Sequence, residues 1–201
     1  MLEGIYMQDN NIEKTKNMVG IALLIAIVVV LQIFGSFIRL GAFPVSLVLV
    51  PIVIGAAVYG QAAGAVLGGA FGVVVLINCI NGVDVGGHML WQANPALTAA
   101  LCMVKGIAAG YVSGLVYRFF AKKSKYIGVL FAAFICPVVN TGIFLFAMIF
   151  LYRETLLIWA GDSHFLYYSF ITLAGVNFLL ELCVNLVLSP AVLRIINASK
   201  S

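Results

Sequence analysis

Residues 17–37 read NMVGIALLIAIVVVLQIFGSF, without one charged side chain, between Lys16 and Arg39. A helix that crosses the hydrocarbon core of a bilayer needs about 20 predominantly apolar residues, and this run supplies them. Further apolar runs follow at 45–59, 62–80, 95–119, 127–151 and 166–195, with breaks where charges, Pro, Gly and Asn cluster. The chain therefore reads as an all-α integral membrane protein with six transmembrane helices. At about 1.5 Å per residue the second span reaches only about 22 Å. Pro44 and Pro51 suit a helix start and a kink, respectively. No linker divides the chain, so one membrane domain is expected over 17–196, with an N-terminal tail at 1–16 and a short tail at 197–201.

Composition agrees. Of 201 residues, 64% are apolar and 9% charged, and mean hydropathy is +1.15. Soluble domains run at about 45–50% apolar and about 25% charged. A chain this poor in polar groups cannot cover itself against water, which excludes a soluble enzyme, a disordered linker and a nucleic-acid binder. Cys79, Cys102, Cys136 and Cys183 all sit in apolar runs with no CxxC pair, and a thiol there behaves as a small hydrophobe.

Six spans put both termini on one side. With the termini inside, the inner segments hold Lys14, Lys16, Arg118, Lys122, Lys123, Lys125, Arg194 and Lys200, against Arg39 and Arg153 outside. The positive-inside rule then places both termini in the cytoplasm. Tyr152, Trp159, Tyr167 and Tyr168 gather at the outer edge and Tyr59, Tyr117 and Tyr126 at the inner edge, as an aromatic belt does. The longer external segments, Asn81–Gln92 and Arg153–Phe165, are the chemically varied ones, which points to recognition on that face.

Small residues recur at four-residue spacing: Gly60, Gly64, Gly68 and Gly72, then Gly106, Gly110 and Gly114. In lipid, helices associate through close packing of small faces, so these stripes are read first as internal packing. Ala22 and Ala26 form a similar pair on span one, which could face a partner protein.

Lys105 and Glu181 are ionisable residues well inside spans. Each costs about 2.5–3.5 kcal/mol at a helix centre, so both are expected to face inward, either paired with each other or in a wet cavity. On span four, Asn94, Thr98 and Lys105 fall within about 40° of one another. Asn177, Glu181 and Asn185 make a stripe on span six, and span five adds Asn140 and Thr141 just after Pro137. The three stripes could converge on one cavity offering an amine, a carboxylate and amides, which suits a small polar organic solute. Trp91 could stack on a ligand or anchor at the interface. Arg39 could pair with an anionic substrate or with lipid headgroups. His88 and His164 have no ligand-spaced companion, so no metal is expected. Nor is a cofactor: the phosphate loop, the His-Glu-xx-His motif and the nucleophile elbow are all missing. Energy for active transport must then come from another chain or a coupled ion.

Several segments resemble the substrate-binding (S) component of an energy-coupling factor transporter. They are Ala22–Ala26, Val50–Gly55, Gly60–Gly69, Asn94-Pro95, Lys105-Gly106, Cys136–Gly142, Glu181, and Asn185 followed by Pro190. The resemblance implies a multi-pass protein of a bacterial-type plasma membrane that binds a vitamin or similar micronutrient from outside, between spans four to six and the external loops. It implies docking through Ala22 and Ala26 on a transmembrane coupling protein, and two cytoplasmic ATPases that complete the importer. The substrate site it suggests comprises Arg39, His88, Trp91, Asn94, Thr98, Lys105, Asn140, Asn177 and Glu181. Riboflavin, pantothenate and cobalamin are the candidate cargoes. The alternative is a self-sufficient secondary transporter or channel with Lys105 and Glu181 as a proton relay.

Overall fold

The computed structural model describes residues 2–36, 47–161, 164, 167–173 and 175–199. Arg39, Pro44 and Asp162 lie outside them. The described residues are all-helical: α1 Leu2–Gly35, α2 Leu49–Tyr59, α3 Gln61–Ile80, α4 Val85–Ala93, α5 Pro95–Phe120, α6 Lys125–Phe150, α7 Arg153–Ala160, a π-helical segment Tyr168–Leu173, and α8 Gly175–Ser199. Five helices are long and apolar enough to cross a bilayer, and α2 is a shorter apolar one. This is a multi-pass membrane protein of about six helices.

Why α2 can be short follows from its position. It packs against α1, α3, α5, α6 and α8. Leu49, Pro51, Ile52, Val53, Gly55, Ala56 and Ala57 are buried, so most of its circumference meets protein rather than lipid. Pro51 was expected to kink a span. It lies instead in the first turn of α2, where its missing N–H is one the helix could not have paired. Gly60, at φ 95°, breaks α2 from α3 in a single residue, a conformation that side-chain-bearing residues avoid.

The glycine stripes are an internal joint. A Cβ on Gly64 would meet the Gly110 carbonyl and one on Gly68 the Gly106 carbonyl; at Gly72 it would come within 2.6 Å of the Cys102 carbonyl. The backbones of α3 and α5 therefore touch along three turns, as small-residue faces allow in lipid. Around this joint Val28, Ile52, Leu67, Phe71, Val75, Cys102 and Val129 make the main core. A second cluster of Leu90, Leu101, Met148, Tyr152 and Leu156 closes the far end of α5 and α6.

The last span differs from its expected form. Instead of one helix over 166–195, the π-helical segment precedes α8. A Cβ at Gly175 would lie 2.9 Å from the Phe170 carbonyl, five residues back, so glycine accommodates the wider turn. Farther on, Pro190 supplies no N–H for the Leu186 carbonyl, and the Ser189 hydroxyl donates to that oxygen at 2.7 Å.

α1 is loosely held. Met18, Leu23 and Phe34 are 71%, 62% and 67% exposed, and Ala22 and Ala26 lie on the same open side. The segment read as an N-terminal tail continues the helix from Leu2.

Candidate functional site

The segments between α3 and α5 and after α6 carry helices that hydropathy does not reveal. Asp84 begins α4 by accepting from the Gly87 N–H at 2.9 Å, an N-cap that satisfies one of the first unpaired donors. His88 then clasps α4 to the end of α3. Its Nδ1 is 2.8 Å from the Cys79 carbonyl oxygen, which can only accept, so Nδ1 carries the proton. Nε2 is left as acceptor for the Gln92 amide at 3.0 Å. Both ring nitrogens are thus engaged within the protein. Trp91 packs, partly buried, against the main core. Asn94 caps α5, its Oδ1 accepting from the Leu97 N–H at 3.1 Å with Pro95 as the first helical residue.

Below that cap sits a hydroxyl triangle. Thr98 Oγ1 is 2.6 Å from the Tyr152 hydroxyl and 2.9 Å from the Asn94 carbonyl oxygen. The Tyr152 hydroxyl is 3.2 Å from that same oxygen. One hydroxyl donates to the carbonyl and the other to its neighbour. Burial pushes the Tyr152 phenol above its ordinary range, with the bond to Thr98 opposing, so it remains a protonated donor at neutral pH. Tyr152 is 4% exposed, a buried tie rather than the belt residue that its place at a helix end suggested. Between α1 and α3, Asn78 Nδ2 donates to the Ser36 hydroxyl at 2.7 Å, and Ser36 donates to the Gln32 carbonyl at 2.7 Å.

Deeper in the bundle, α6 lies between α5 and α8. Phe144, Asn140 and Cys136 follow at four-residue steps along one side of α6. Lys105 Nζ stands 5.7 Å from the Phe144 ring centroid and 5.8 Å from that of Phe71, over faces whose negative quadrupole attracts a cation. Two turns away, Cys136 is fully buried and lies near enough to Glu181 of α8 to feel its charge. Along α6 those two levels are about 12 Å apart. Asn140, midway, is buried.

Glu181 and Asn185 are also buried on α8, where Asn185 Nδ2 donates to the Glu181 carbonyl at 2.8 Å. The Oδ1 atoms of Asn140 and Asn185 lie buried without a hydrogen-bond partner. An unmet acceptor costs about 1–3 kcal/mol in a protein interior. Two such atoms on facing helices make an arrangement that a donor-bearing solute could complete.

The structure thus gathers Lys105, Asn140 and Glu181 along one side of α6. Asn94 and Thr98 form a separate tier near the end of α5, with His88 in the loop clasp. Asn177 opens α8, two residues from its start. Tyr152 and Asp84 were not among the site residues expected. For Asp84 a signal existed, since an Asp ahead of a small-residue turn is an N-cap pattern. Tyr152 carried none, because its partner Thr98 lies on another helix.

A family model described as the ECF transporter, substrate-specific component, matches residues 16–193. The comparison with curated proteins found no match.

Proposed function

The chain belongs to the substrate-specific components of ECF transporters, and from that premise we propose that it captures a vitamin or related small polar micronutrient from outside. Such a component is a substrate-binding membrane subunit, not an enzyme. In this reading the basic face, with Arg118, Lys122 and Lys125, is cytoplasmic and the capture site opens on the opposite side. Lys105, Asn140 and Glu181 contact the solute, with Asn177 nearer the mouth, and Arg39 is a further contact. Trp91, Asn94, Thr98 and His88 shape the rim. Ala22 and Ala26, exposed on α1, dock on the transmembrane coupling protein, and two ATPases energise release. Riboflavin, pantothenate and cobalamin are the candidate cargoes.

The observation that carries this reading, beside the family, is the pair of buried, unmet amide oxygens on α6 and α8. The deciding experiment is mass spectrometry of the solute that co-purifies with the chain, followed by uptake in liposomes. Uptake that appears only with ATP and the partner subunits supports the proposal. Uptake by the chain alone under a proton gradient would reject it in favour of a secondary transporter.

A further inference from the structure

On the basic face the ends of α2, α3 and α5 enclose an open hollow of about 690 Å³. Its polar lining includes Tyr59, Gln61, Tyr117, Arg118, Lys122 and Lys125, and Ala56, Ala57 and Ala121 supply apolar wall. No lining residue is acidic, and the sequence holds no Asp or Glu between Asp84 and Glu154. Lys125 makes one long contact, 3.4 Å to Asn197 Oδ1. Among the described residues Arg118 and Lys122 have no ion-pair partner. The hollow also meets the start of α3, where Gly60 provides no side-chain cap and the first N–H groups are unpaired by the helix. Among the described residues, three cations and a helix N-terminus thus face one space whose lining holds no acidic side chain.

We propose that this hollow holds the phosphate-bearing headgroup of an anionic phospholipid from the leaflet on the basic side. Basic pockets between transmembrane helices suit such headgroups, Arg through a bidentate fork and Lys as a point charge. The hollow lies where Tyr59 and Tyr117 mark the end of the apolar spans. Along α2, Val58 of the hollow is one turn from Ile54, which lines an apolar groove with Leu24, Leu31, Pro51 and Leu188. That groove gives an acyl chain a path that a free phosphate would not use.

The test is native mass spectrometry of the purified, delipidated full chain with added phosphatidylglycerol or phosphatidylcholine. The wild type retains phosphatidylglycerol in preference. The double variant Arg118→Gln with Lys122→Gln loses about tenfold in retention, and Arg118→Lys with Lys122→Arg keeps it. Both positions are exposed, so the variants fold, and retained binding of the co-purifying solute shows this. Equal retention by the wild type and the Gln variant overturns the proposal. So does displacement of the lipid by millimolar inorganic phosphate, which assigns the hollow to a soluble anion. Loss of assembly with the energising subunits at unchanged lipid retention overturns it too, assigning the hollow to a protein partner. Capture of solute at the other face is measured separately and is untouched by any of these results.

Discussion

Thr98 of α5 and Tyr152, at the corner between α6 and α7, share a 2.6 Å hydrogen bond across 54 residues of chain. Both are nearly shut off from solvent, and together they close on the carbonyl of the residue that caps α5. The bond ties the α4–α5 junction to the far end of α6. Removing the phenol oxygen in Tyr152→Phe leaves the ring packed against Leu156 and Met148 but unlinks the corner. A loss of about 1 kcal/mol in stability is expected. A double-mutant cycle with Thr98→Val, read by thermal unfolding in detergent, should give a coupling energy near that value. Strict additivity would show that the contact contributes nothing.

The same phenol gives a pH dependence whose sign can be worked out. Burial raises the Tyr152 pKa in the folded chain, so the folded state keeps a proton that the unfolded chain releases near pH 10. Its contribution is fully present below about pH 10 and is lost as pH rises through the higher folded value. The stability difference between the wild type and Tyr152→Phe should therefore be flat from pH 6 to 9 and shrink above 10. A difference that grows with alkalinity would contradict the assignment.

Two glycines separate packing from conformational entropy. Gly68→Ala puts a methyl group into the Gly106 carbonyl, so α3 and α5 must move apart, at a cost of about 1–3 kcal/mol. Gly142 sits inside α6 with nothing within 4 Å of an added Cβ. Gly142→Ala should be stabilising by about 0.4–1 kcal/mol. Unfolding midpoints for the pair should move in opposite directions.

Ala22 and Ala26 are exposed on a loosely packed helix, so bulk there leaves the fold intact. Ala22→Leu with Ala26→Leu should abolish uptake by the assembled importer while solute affinity stays within about twofold. Affinity that falls with uptake would remove the docking role.

Lys105 and Glu181 address different levels of the α6 face. Lys105→Met keeps the stem but loses the ammonium, and Glu181→Gln keeps the shape but loses the charge. Each should weaken solute binding by about tenfold or more, which corresponds to about 1.4 kcal/mol. Folded variants with wild-type affinity would show that both side chains serve the helix bundle alone.

Much of the architecture was legible along the chain, because partition into a bilayer depends on the summed apolarity of local segments. The spans, the bias of basic residues toward one face and the glycine spacing of α3 and α5 are all properties of short windows. Burial of Glu181 and the half-buried place of Lys105 also followed, since the cost of an intramembrane charge does not depend on where its partner lies. What each polar group meets could not be read in this way. Thr98 finds Tyr152, Lys105 stands over two phenyl rings, and Asn94 and His88 hold helix ends together. Those pairings depend on how helices rotate and cross, and the Gly64/Gly68/Gly72 contact with Gly110, Gly106 and Cys102 sets that geometry for α3 and α5. Hydropathy assigns each segment its medium, whereas side-chain partnership is a property of the assembled bundle, where residues dozens of positions apart come within hydrogen-bond reach.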